Sequence, residues 1–177
     1  RRQLATIVDA VRAATVEGRL DDAVAVLEHL LPADAADVIE GLGVEEQRAV
    51  LAFMADAIAA DILEEMENTD AAGVAFELAS EELAAILDHM ELEEAADVLG
   101  DLPTDQAESA MLAMDDDVEA EVRGLMVYPD DTAGGRMTPE FIALPASLTG
   151  GEAILAFRRE ARDRRGAYYF YTVDAEG

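Results

Sequence analysis

Leu78-Ala-Ser-Glu-Glu-Leu-Ala-Ala-Ile-Leu-Asp-His-Met90-Glu-Leu-Glu-Glu-Ala-Ala-Asp-Val-Leu-Gly-Asp-Leu102 holds two twelve-residue blocks in register. Ile86, Leu87 and Met90 of the first fall on Val98, Leu99 and Leu102 of the second. The same step extends in both directions. Leu30, Leu42, Met54, Met66, Leu78, Met90, Leu102, Met114 and Met126 form one column. Val26, Val38, Val50, Ile62, Val74, Ile86, Val98 and Val122 form a second, and Leu27, Ile39, Leu51, Leu63, Leu87, Leu99 and Met111 a third. At about 100° per residue, twelve residues carry a helix roughly 120° past whole turns, so these columns would spiral around a single long helix. The chain must therefore turn and restart in each block. The outcome is a stack of very short helices, one per block, or one helical hairpin per two blocks.

Within a block the apolar residues lie at i, i+1 and i+4, as in Val38, Ile39 and Leu42, which is one helical face. Breakers and capping residues open the blocks: Pro32 with Asp34, Gly43, Ser80, Pro103 with Thr104, and Asp115. Helices this short are marginal alone in water, so each must bury its face on its neighbours and no single block should fold. The methionines read as flexible core fillers rather than ligands. His29 and His89 each precede a ladder position and read as helix-end residues.

The net charge is −28, and all twelve basic residues are Arg. Between Ala49 and Val122 stand 22 carboxylates and neither Lys nor Arg. Such a surface repels nucleic acid and anionic lipid, and it attracts cations or a basic partner. Adaptation to a salt-rich cytoplasm accounts for the same composition. No run approaches the ~20 apolar residues of a membrane span. No signal peptide is recognisable. Without Cys there are no disulfides and no thiolate metal sites, and a reducing compartment is expected.

The ladder stops at Met126, and residues 128–139 are dense in turn formers. Phe141 to Leu144 then reads as a strand, Leu148 to Arg162 as a helix capped by Ser147 or Thr149, and Ala167 to Val173 as a second strand. Ala153, Ile154, Phe157 and Ala161 make the apolar face of that helix. Arg158, Arg159, Arg162, Arg164 and Arg165 cluster at its end, either complementing the helix dipole or forming a phosphate or docking patch. Two strands and one helix cannot close a core, so this part reads as a truncated domain.

An acidic short-helix superhelix followed by Tyr128-Pro-Asp-Asp-Thr-Ala-Gly-Gly-Arg-Met-Thr138 and a β–α–β opening resembles the cytosolic part of the MgtE family of magnesium transporters. Leu31-Pro-Ala-Asp-Ala-Ala-Asp37 and Ala95-Ala-Asp-Val-Leu99 are further repeat text of that kind. The resemblance implies a mostly α fold: a right-handed, armadillo-like solenoid with about twelve residues per helix over 1–127. Residues 128–177 would be the linker and the truncated first half of a CBS domain. It implies a Mg2+-sensing, gating role in which bridging Mg2+ favours the compact, closed state. The family's superhelix ligands fall on Asp61, Glu93 and Asp97. The implied partners are the chain's own CBS and transmembrane pore domains, absent here, with homodimerisation through CBS domains. The implied location is the cytoplasmic side of the inner membrane, without direct membrane insertion and without nucleic acid.

From the residues alone, Glu93 and Asp97 share one helix face at i, i+4 and repel unless a cation intervenes. Mg2+ takes oxygen ligands and commonly one or two carboxylates. A solvated acidic face explains the same spacing. Two other function classes compete: an acidic helical-repeat adaptor for a basic peptide, and an enzyme. No Cys, His/carboxylate pair, phosphate loop with Lys or metal-ligand His spacing supports catalysis, so none is expected.

Overall fold

The computed structural model describes residues 2–128, 132–134, 137, 141–160 and 170–174. The chain forms two compact units, Arg1–Gly135 and Arg136–Gly177. The first is helical throughout: α1 Arg2–Val16, α2 Leu20–Leu27, α3 Pro32–Glu40, α4 Val44–Leu51, α5 Asp56–Leu63, α6 Asn68–Ala75, α7 Ser80–Leu87, α8 Leu92–Asp101, α9 Thr104–Met111 and α10 Asp116–Leu125. From α3 onward each helix packs on the one two ahead: α3 on α5, α5 on α7, α7 on α9, and likewise α4, α6, α8 and α10. Each block carries one short helix, and because each helix packs on the one two ahead, the structural repeat is 24 residues, with odd and even helices in two layers.

The ladder residues occupy the turns between helices rather than the helices themselves. Each N–H of Leu30, Leu42, Met66, Leu78, Met90, Leu102 and Met114 donates to the carbonyl three residues back, tightening the last turn. The next residue is extended and starts the following helix, as at Ala55 (φ −66°, ψ 134°) and Glu91 (φ −60°, ψ 139°). Proline suits that conformation, and Pro103 stands at such a position (φ −54°). The ladder side chains then point back into the stack: Leu42, Met54, Met66, Leu78, Met90, Leu102 and Met114 are all buried.

The other columns fill the core, with one exception. Val38, Val50, Ile62, Ile86 and Val122 are buried, but Val26 is 38% exposed, because α2 turns Ala23, Val24 and Leu27 inward instead. A fourth column escaped the apolar pattern. Ala23, Ala35, Ala59, Ala71, Leu83, Ala95 and Ala107 are all buried where helices meet. All but Leu83 are alanines, whose small side chains leave room for short helices to approach. Gly18 (φ +74°) closes α1, with Arg19 N–H donating to the Ala14 carbonyl at 2.8 Å. His29 and His89 place Nδ1 2.6 and 2.9 Å from the carbonyls of Ala25 and Ala85, as helix-end histidines do.

Two of the expected openers, Ser80 and Thr104, stand one residue inside their helices, and Asp115 makes no side-chain cap. Carboxylates near the helix starts substitute. Ala79 N–H donates to Glu82 Oε2 at 3.0 Å, and Gly43 N–H donates to Glu46.

In the second unit β1 (Ile142–Pro145) pairs in parallel with β2 (Phe170–Val173), Ile142 opposite Phe170, and α11 (Gly150–Glu160) lies between them in sequence. Thr149, not Ser147, caps α11: the Glu152 N–H donates to Thr149 Oγ1 at 3.4 Å, and the Thr149 N–H donates back to Glu152 Oε2 at 2.9 Å. Ile142 and Leu144 are buried, while Ile154 is 55% exposed, so the expected inner face of this helix is only partly covered. The expected roles of Ala161, Arg162, Arg164, Arg165 and residues 167–169, and most of the 128–139 junction, lie outside the described residues.

Candidate cation-binding face

The residues singled out for metal sit on α5 and α8. Asp61 is exposed on α5, because Ala59, Ala60, Ile62 and Leu63 take the inner face. Glu93 and Asp97 lie one turn apart on α8 and are half-buried, since Leu92, Ala95, Ala96, Val98 and Leu99 turn inward. The Asn68 side-chain amide donates to Asp97 Oδ2 at 2.8 Å and fixes that carboxylate from α6. One oxygen of Glu93, Oε2, is buried without a hydrogen-bond partner, an unsatisfied acceptor on a group that carries charge.

Two carboxylates that the residue pattern did not single out join them. Glu64 ends α5, and its Oε1 accepts the backbone N–H of Glu91 at 2.6 Å. Burial pushes its pKa up, against that hydrogen bond, and the negative charges of Glu91, Asp61 and Glu94 add to the rise. Burial likewise raises Glu94, followed by repulsion from Asp97, Glu93 and Glu91. The fold thus links the end of α5, which carries Asp61, to α8 through Glu64, and α8 carries Glu93, Glu94 and Asp97. It does not bring Asp61, Glu93 and Asp97 to one point: among the described residues no three carboxylates or histidines converge closely enough to hold a metal. The ion pairs Arg12–Asp9, Arg19–Glu17, Arg19–Asp22 and Arg123–Glu119 all use arginines from outside the basic-free span. A signal for Glu64 was present in the sequence: Glu40, Glu64 and Asp88 recur at 24-residue spacing. Nothing in composition separates them from their acidic neighbours.

Carboxylate oxygens are ligands that a hard divalent cation takes. Among the described residues no helix is long and apolar enough to cross a membrane.

Residues 30–131 match the family described as the MgtE intracellular N domain. A 64-residue segment is 42% identical to the magnesium transporter MgtE of Thermus thermophilus, covering 36% of this chain and 14% of that protein. A 56-residue segment is 38% identical to the MgtE of Enterococcus faecalis, covering 32% of this chain and 12% of that protein. The matches therefore span a small part of these relatives' length. Among solved structures, the cytosolic domain of the Mg2+ channel MgtE in complex with ATP superimposes with a TM-score of 0.82 at 30% identity, covering 96% of this chain and 70% of that one. The soluble part of a magnesium transporter gives 0.77 at 20% identity, covering 98% and 68%, a likeness of fold. The chain belongs to the MgtE intracellular N-domain family.

Proposed function

We propose that this chain is the cytosolic regulatory region of a magnesium transporter or channel, and that Mg2+ held by its acidic face favours a compact, closed state. The observation that carries this reading is the half-buried Glu93/Asp97 pair, with an unpartnered Glu93 oxygen, in a span holding 22 carboxylates and no basic residue. Repulsion among carboxylates so placed is relieved by a bound cation. Asp61, Glu93 and Asp97 would supply oxygen ligands from the superhelix, and acidic residues of complete CBS domains in the same protein would supply the rest. A bound divalent ion neutralises the repelling carboxylates and bridges surfaces that otherwise separate. The region works on the cytoplasmic side of the membrane, beside a pore domain, in a homodimer held by CBS domains. It catalyses no reaction.

A ligand bound only by the compact state stabilises it by RT ln(1 + [L]/Kd), about 1.4 kcal/mol at ten times Kd. General repulsion is relieved by any salt through screening. The test is the melting temperature of the full-length protein in Mg2+ and in Na+ at matched ionic strength. Mg2+ should stabilise more, and replacing Asp61, Glu93 and Asp97 together by Ala should remove only that excess. An equal response to both ions would refute the sensor, and an unchanged excess in the triple variant would refute the ligand assignment.

A second reading, a docking module for a basic peptide, is favoured by one feature. A shallow groove of about 340 Å3, lined by Thr69, Ala72, Gly73, Phe76, Asp101, Leu102 and Pro103, leaves Phe76 half-exposed beside a carboxylate. Peptide binding indifferent to Mg2+ would favour it.

A further inference from the structure

We infer that Glu64 is a positioning residue for the cation-binding face: its carboxylate clips the end of α5, which carries Asp61, to the start of α8, which carries Glu93 and Asp97. The inference rests on the metal-sensing function proposed above.

The geometry is a cap supplied from another repeat. In a capping box, the third residue of a helix reaches back to the N–H of its N-cap. Helix α7 does this with Glu82 and Ala79. Helix α8 has the residues to do the same, since its third residue is Glu94 and its N-cap is Glu91. It does not. The Glu91 N–H is taken by Glu64 Oε1 at 2.6 Å, from three helices earlier. Glu94 is thereby left out of the cap and stands beside Glu93 on α8. Asp61 lies one helical turn before Glu64, and Glu93 two residues after Glu91. The one hydrogen bond therefore joins the two stretches that carry the proposed ligands, and decides which side chain caps α8.

The fold also carries a control. One repeat later, Asp88 at the end of α7 accepts the Asp115 N–H at 3.1 and 3.2 Å through its two oxygens. The span is again 27 residues. The third residue of α10 is Val118, so no local cap competes, and none of the proposed ligands lies on α7 or α10. The Asp88 clip thus has the same geometry away from the proposed ligands.

The experiment follows the Mg2+-specific stabilisation of the full-length protein, with MgCl2 as probe and NaCl at matched ionic strength as reference. Glu64→Ala should raise the Mg2+ midpoint about tenfold, the loss typical when a group that orients metal ligands is removed. Glu64→Gln keeps an acceptor for the Glu91 N–H and should restore a midpoint close to wild type. Asp88→Ala should lower the melting temperature in both salts and leave the midpoint unchanged. A wild-type midpoint in Glu64→Ala overturns the inference while leaving the sensor intact. So does an equal loss in Glu64→Gln, which would mean that charge matters rather than the clip, or an equal loss in Asp88→Ala, which would mean general loosening. Wild type with no Mg2+-specific response overturns the sensor and this inference together.

Discussion

Ile86→Ala and Val26→Ala make the sharpest test of the stack, because the sequence places both residues in one column and the structure separates them. Ile86 is 1% exposed on α7, which packs between α5 and α9. Truncation there removes three carbons from a site walled on both sides by helices. Ile→Ala at such a position costs about 2–5 kcal/mol, and limited room to collapse argues for about 3–4. In a chain of this size 1 kcal/mol moves the melting temperature by about 2–4 °C, so the loss should be about 10 °C. Val26 is 38% exposed. Its two lost carbons would be worth about 0.8 kcal/mol each if fully buried, and much less here. Alanine also recovers several tenths of a kcal/mol in helix propensity, so the net change should be about 0.5 kcal/mol or less. Urea titrations followed by circular dichroism would measure both. Equal losses would refute the inward turn of Ala23 and Val24 in α2. An Ile86→Ala loss below about 1 kcal/mol would refute the claim that the column is core.

Two further outcomes follow from burial. Met66→Asp and Leu78→Asp, at positions 6% and 4% exposed, each put an unpaired charge into the stack at several kcal/mol and should unfold it, whereas Glu65→Asp at an exposed site should change little; equal melts of the three variants would show that the turn residues are not core. Glu40, Glu64 and Glu94 have pKa values raised above 4.5, first by burial. A carboxyl whose folded pKa exceeds its unfolded one binds protons more tightly when folded, so its penalty is present at high pH and is relieved as pH falls through the folded value towards the unfolded one. The melting temperature should therefore rise from pH 7 to about pH 5, and less so in Glu64→Gln; a flat or falling profile would remove the burial penalty.

The twelve-residue step was enough to dictate short helices, a turn per block and a shared core, since no continuous helix can hold three apolar columns at that spacing. It also revealed the acidic, basic-free span and the change of composition after Met126. Three things depended on the fold. Which helix stacks on which was decided by packing, each on the one two ahead, because any stacking order of twelve-residue blocks gives the same columns. The alanine column was invisible because a methyl group adds little to an apolar pattern, yet it sets how closely helices approach. The Glu64–Glu91 and Asp88–Asp115 clips were invisible because they join residues 27 apart through a backbone N–H, which every residue but proline carries. Hydrophobic periodicity is a local property of the chain and is written in the sequence. Which carboxylate meets which backbone donor is set by how the layers stack, and only the folded chain decides that.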